Sequence, residues 1–111
     1  MGLRNIVKTS EKLDYSKLYE NLVYLEMRSR GYEVRVGKWN NQEIDFICQK
    51  GREKQYIQVA YLITEQDHER EFGNLERIPD NYPKYVISGD LPDLSENGII
   101  HKNILQFLLE G

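Results

Sequence analysis

The first apolar positions recur with a helical period. Leu18, Leu22 and Leu25 stand at i, i+4 and i+7 behind Tyr15, which predicts a helix over 14–30. Gly31 follows where a left-handed cap is wanted. A second set, Glu20, Val23, Tyr24 and Met27, is spaced at i, i+3, i+4 and i+7 on another side of the same segment. A helix apolar on two sides is expected to be covered on two sides, leaving Glu20 at least partly buried. The period then shortens to two. Residues 32–37 set Tyr32, Val34 and Val36 on one face of a strand, and 37–41 read as a turn. Residues 43–49 set Ile44, Phe46 and Cys48 against Glu43, Asp45 and Ile47. After a charged turn over 50–54, residues 55–62 set Ile57, Val59 and Tyr61 against Tyr56, Gln58 and Ala60.

Thr64 with Asp67 three residues on opens a second helix, which ends near Ile78 before Pro79. Phe72, Leu75 and Ile78 are its apolar positions, and its acidic remainder over 65–76 reads as a solvated or partner-facing surface. Residues 84–88 are almost entirely apolar, as in a strand covered on both faces. Ile99 and Ile100 are placed in an edge strand, and Asn103 caps a last helix over 104–110. The order is α-β-β-β-α-β plus a short C-terminal element. An antiparallel meander followed by a helical crossover predicts an α/β fold, a mixed sheet flanked by helices.

Composition narrows the class. The 111 residues amount to one domain, 1–111, and 40% hydrophobic with 30% charged residues excludes a disordered or collagen-like chain. No apolar run approaches the ~18 residues of a membrane span, so no membrane partner is expected. The single cysteine, Cys48, cannot form an internal disulfide and fits a reducing cytoplasm. Residues 1–60 carry 11 basic and 8 acidic side chains, and residues 61–111 carry 4 and 10. Nucleic acid is therefore disfavoured at the C-terminal half.

The candidate chemistry lies on the meander. A tight hairpin about Gly51-Arg52 sets Asp45 opposite Gln58 and Glu43 opposite Ala60, and opposed residues share a sheet face. Asp45 stands mid-strand, where aspartate has poor propensity. A strand Asp beside a Gln, near a helix with a half-buried Glu20, gathers the oxygen ligands that Mg²⁺ or Mn²⁺ requires. Such a metal activates water and clamps a phosphodiester.

Glu20, the E-I-D at 43–45 and the Q-V-A at 58–60 resemble the PD-(D/E)XK nuclease superfamily, the restriction-endonuclease-like fold. More closely, GLRN (2–5), ENLVYLEMRSRGYEV (20–34), GKWNNQEIDF (37–46), YIQVAY (56–61), ERE (69–71) and DNYPKYVIS (80–88) are similar to the C-terminal domain of a group of prokaryotic AAA+ superfamily ATPases. The resemblance implies that the ATPase module of a parent protein lies outside this chain and is one partner. It also implies a metal and catalytic site at Glu20, Asp45 and the position of Gln58. Active members carry (D/E)-x-K on the third strand, whereas here Gln58 replaces the acid and Ala60 the lysine. A missing transition-state donor of this kind lowers the rate by ~10² to 10³. Lys38 or Lys54 is the available substitute.

The expected function is therefore a degenerate nuclease-like module that binds DNA or a protein and serves assembly rather than cleavage. The alternatives are an active metal-dependent DNA endonuclease with an altered site and a pure protein-interaction domain. Cys48 reads as a core thiol, Trp39 as packing, His68 and His101 as structural or solvated, and Lys8, Lys12 and Lys17 as a solvated face.

Overall fold

The computed structural model describes residues 9–39 and 42–110. The elements are helix α1 (Thr9–Ser29), strands β1 (Glu33–Trp39), β2 (Gln42–Lys50) and β3 (Glu53–Val59), helix α2 (Glu65–Glu76), strands β4 (Lys84–Ser88) and β5 (Ile100–Asn103), and helix α3 (Ile104–Glu110). The fold is mixed α/β. Five strands form one sheet in the order β1-β2-β3-β4-β5, antiparallel from β1 to β3 and parallel from β3 to β5. The GLRN segment, Lys8 and the side chains of Lys12 and Trp39 lie outside the described residues.

Each sheet face carries its own core. Val23 and Met27 of α1 and Ile104 and Phe107 of α3 cover Cys48, Ile57, Val59 and Ile87. Phe72 and Leu75 of α2, with Ile78, cover Ile44, Ile47, Tyr56 and Val86 on the other face. The caps follow the sequence. Gly31 turns the chain at φ +92° after α1, Thr64 Oγ1 accepts the Asp67 N–H at 3.1 Å, and Asn103 Oδ1 accepts the Leu105 N–H at 2.9 Å. Among the described residues no helix is long and apolar enough to cross a membrane.

Element bounds move first: α1 begins at Thr9 rather than 14, β1 continues through Gly37 to Trp39, and the charged turn shrinks to Gly51-Arg52 because Lys50, Glu53 and Lys54 join the ladder. Three further expectations need correction. The leucine face of α1 is not the buried one. Val23 and Met27 point at the sheet, while Leu18 and Leu25 remain 48% and 62% exposed, so the chain covers only one side of this helix. The third strand ends at Val59, leaving Ala60–Leu62 beyond it. The third correction concerns β2, where Ile44 shares the α2-side core with Ile47 while Phe46 and Cys48 lie on the α1 side. The β1–β2 register explains this: β1 advances two residues from Arg35 to Gly37 while β2 spans three from Ile47 to Ile44. The extra residue is a bulge at Asp45-Phe46, which resets the alternation and bends the strand. Gly37 permits it, because a Cβ there would stand 2.0 Å from Ile47 Cδ1.

Candidate functional site: an acidic cleft where two strands part

The β2–β3 ladder runs from Lys50–Glu53 to Phe46–Ile57 in the expected hairpin register. Beyond Phe46, side chains replace the backbone ladder. The Asp45 N–H donates to Gln58 Oε1 at 2.7 Å, and the Val59 N–H donates to Asp45 Oδ2 at 2.8 Å. The bulge and this exchange open the sheet into a cleft of about 600 Å³ between α1 and α2. Ser16 and Glu20 of α1, Glu43 and Asp45 of β2, Val59 to Leu62, and Asp67, Arg70, Glu71 and Asn74 of α2 line it. Tyr61 stacks on Tyr15 with ring centroids 4.8 Å apart, and Tyr19 meets it edge-on at 5.7 Å.

The cleft strains its own charge. Burial is the largest cause lifting Glu20 above the usual carboxylate range; Asp45 adds to it and Lys17 opposes. Burial likewise raises Asp45, with Glu43 reinforcing it, against the Val59 N–H and Arg70. Glu71 is 6% exposed and titrates at about 7, because burial, Asp45, Asp67 and Glu20 together outweigh Arg70. The guanidinium of Arg70 lies 3.0 Å from Asp67 Oδ1, and its Nε lies 3.7 Å from Glu71 Oε1. Burial and mutual repulsion bias all three carboxyls toward the protonated form.

Glu20 and Asp45 thus meet in the cleft, as the sequence proposed. Gln58 does not line it. The residue is 2% exposed, and its oxygen is taken by the Asp45 N–H. Ala60 occupies the lysine position on the cleft wall and brings no polar side-chain atom. Lys38 pairs in register with Glu43 but is not among the lining residues. The reading of α2 as a solvated acidic face missed Asp67, Arg70 and Glu71. Their spacing carried the signal, since i, i+3 and i+4 share one helix stripe and Glu71 lies four residues before the buried Leu75. Among the described residues no three acidic, His or Cys groups converge closely enough to hold a metal ion.

A second polar cluster imitates a hydrolase triad without its chemistry. Ser88 Oγ lies 2.8 Å from His101 Nε2 and donates to Asp90 Oδ2 at 2.7 Å, while His101 Nδ1 accepts the Leu94 N–H at 3.2 Å. That backbone donor fixes the proton on Nε2, so the ring donates to Ser88 and cannot take its proton. Both residues are buried. His68 meets Glu96 at 2.9 Å on the half-exposed surface. Cys48 is fully buried and pushed up to about 12, an inert core thiol.

No family model matches the chain. An uncharacterized protein of Haemophilus influenzae is 40% identical over 110 residues, 98% of this chain and 27% of that protein. The uncharacterized protein MJ1544 of Methanocaldococcus jannaschii is 32% identical over 99 residues, 68% of this chain and 22% of that protein. The chain spans about a quarter of the length of the curated relatives it matches.

Proposed function

We propose that this chain is a degenerate PD-(D/E)XK-like module of a longer prokaryotic AAA+ ATPase, acting in the cytoplasm in binding or assembly rather than cleavage. The mixed sheet, with Glu20 from the first helix and Asp45 at a parted strand end, supports the nuclease-like ancestry. The greater length of both relatives supports a modular parent.

One observation carries the non-catalytic reading. The carboxylates are the hard oxygen donors that Mg²⁺ or Mn²⁺ prefers. Their spacing does not fit such an ion, because no three ligating groups converge among the described residues and the Gln58 oxygen serves the backbone. Asp45 instead ties β2 to β3 through the Val59 N–H, and Glu20 and Glu71 line the cleft beside it with their carboxyls biased toward the protonated form by burial. DNA would have to overcome this acidic lining, so its phosphates are better placed at the more basic N-terminal half. A protein partner faces no such barrier.

One feature favours the rival reading of an altered but active endonuclease. Arg70 puts a cation in the cleft beside Asp45, where Ala60 cannot. The two readings separate in a cleavage assay with Mn²⁺ on duplex, single-stranded and branched DNA. We expect no product that disappears in Asp45→Ala. An Asp45-dependent cut would replace the binding module with an enzyme.

A further inference from the structure

α1 and α3 lie side by side, and among the described residues their outer faces carry exposed leucines. Leu18 and Leu25 flank Leu22 on α1, Leu105 is 64% exposed on α3, and Leu91 borders both. An apolar groove of about 380 Å³ runs between the helices, lined by Leu22, Leu91, Leu105 and Leu108 among others. Among the described residues no charged side chain lines it. Isolated surface leucines are ordinary, but exposed leucines on two adjacent helices about an apolar groove mark an interface.

We infer that this face seats a companion domain of the same polypeptide, one presenting an apolar surface. The inference rests on the modular reading above. In the Haemophilus influenzae relative the segment matching nearly all of this chain is 27% of the polypeptide, so most of that protein lies outside it. A tethered neighbour is present at millimolar effective concentration, and an apolar, charge-free face suits a permanent contact rather than a steered encounter. The seat also has a consequence for the cleft. Leu18 lies between Ser16 and Glu20 on the helix that lines it, so a domain docked on the leucines touches the turn that aims Glu20.

The test compares hydrogen exchange in the native polypeptide that carries this chain with exchange in the isolated 111 residues. The native polypeptide is expected to be several times longer, with amides 18–25 and 104–109 exchanging at least ~10-fold more slowly than in the isolated chain. Leu18→Ser with Leu105→Ser should abolish that extra protection. Both sites are largely exposed, so the β2–β4 amides should be unchanged. Equal exchange in a long polypeptide would overturn the docking and leave the modular reading standing. A native polypeptide of about 111 residues would overturn both. A concentration-dependent dimer of the isolated chain that the same variants dissolve would assign the face to a second copy and overturn the companion domain.

Discussion

Glu71→Gln should stabilise the protein, and only above acidic pH. The carboxyl ordinarily titrates at 4.5 and in the folded protein at about 7. The folded state therefore holds a proton that the unfolded state has released. Below pH 4.5 both states are protonated and the residue is neutral to stability. Between 4.5 and 7 the folded state loses ground with each step of pH, and above 7 the loss is complete. One pH unit of such a gap is worth about 1.4 kcal/mol, so the full penalty is about 3 kcal/mol. Glutamine keeps the shape and removes the charge. The same change relieves Asp45 and Glu20, each of which repels Glu71. Urea unfolding read at pH 4.5, 6 and 8 checks it. With a slope of ~1.5 kcal/mol per molar, the midpoint should rise by about 2 M at pH 8 and hardly move at pH 4.5. A variant equally shifted at every pH, or destabilised at pH 8, would refute the buried, proton-holding cleft.

Other consequences follow from single contacts. Burial lowers the pKa of His101 against Asp90 and Asp93, so the unfolded chain takes up its proton first; stability should fall as pH drops below 6.5, and nitrogen shifts should show Nε2–H above it. A ring that titrates at or above 6.5 would contradict the geometry. Gly37→Ala should destabilise by roughly 1–3 kcal/mol through Ile47, and Ile47→Ala in the same chain should recover part of that loss; simple additivity in thermal unfolding would deny the contact. Gln58→Leu leaves the Asp45 N–H without its acceptor and should lower stability by about 1–3 kcal/mol while speeding exchange of that amide. An unchanged exchange rate would place the acceptor elsewhere.

Much of the framework was legible in the sequence because local rules decide it. Period-two alternation, the Gly51 turn and the Thr64 cap located the strands, the hairpin register and the start of α2, and Asn103 located α3. What escaped depended on long-range packing. The bulge at Asp45-Phe46 arises because Ile47 lies over Gly37, a contact between strands that no period in β2 announces. It sends Ile44 to the α2 side and opens the ladder where Gln58 and Asp45 exchange bonds. The α1 faces were read from hydrophobicity alone. Both carry apolar side chains, and which one meets the sheet depends on the layer beneath. Glu71 was lost among the charges of α2 because its burial comes from the strands beneath that helix, which sequence spacing does not bring near.

The central claim is that Glu20, Asp45 and Glu71 line one cleft without assembling a metal site. A calorimetric titration of Mn²⁺ into the protein at pH 8 tests it most directly, since ligands must be deprotonated for a metal to bind. With Asp45→Ala and Glu20→Ala alongside, the account predicts no saturable heat below about 1 mM metal, which corresponds to a binding free energy weaker than about 4 kcal/mol. Saturable binding at micromolar Mn²⁺ that vanishes in both variants would contradict it and return the cleft to the active nucleases.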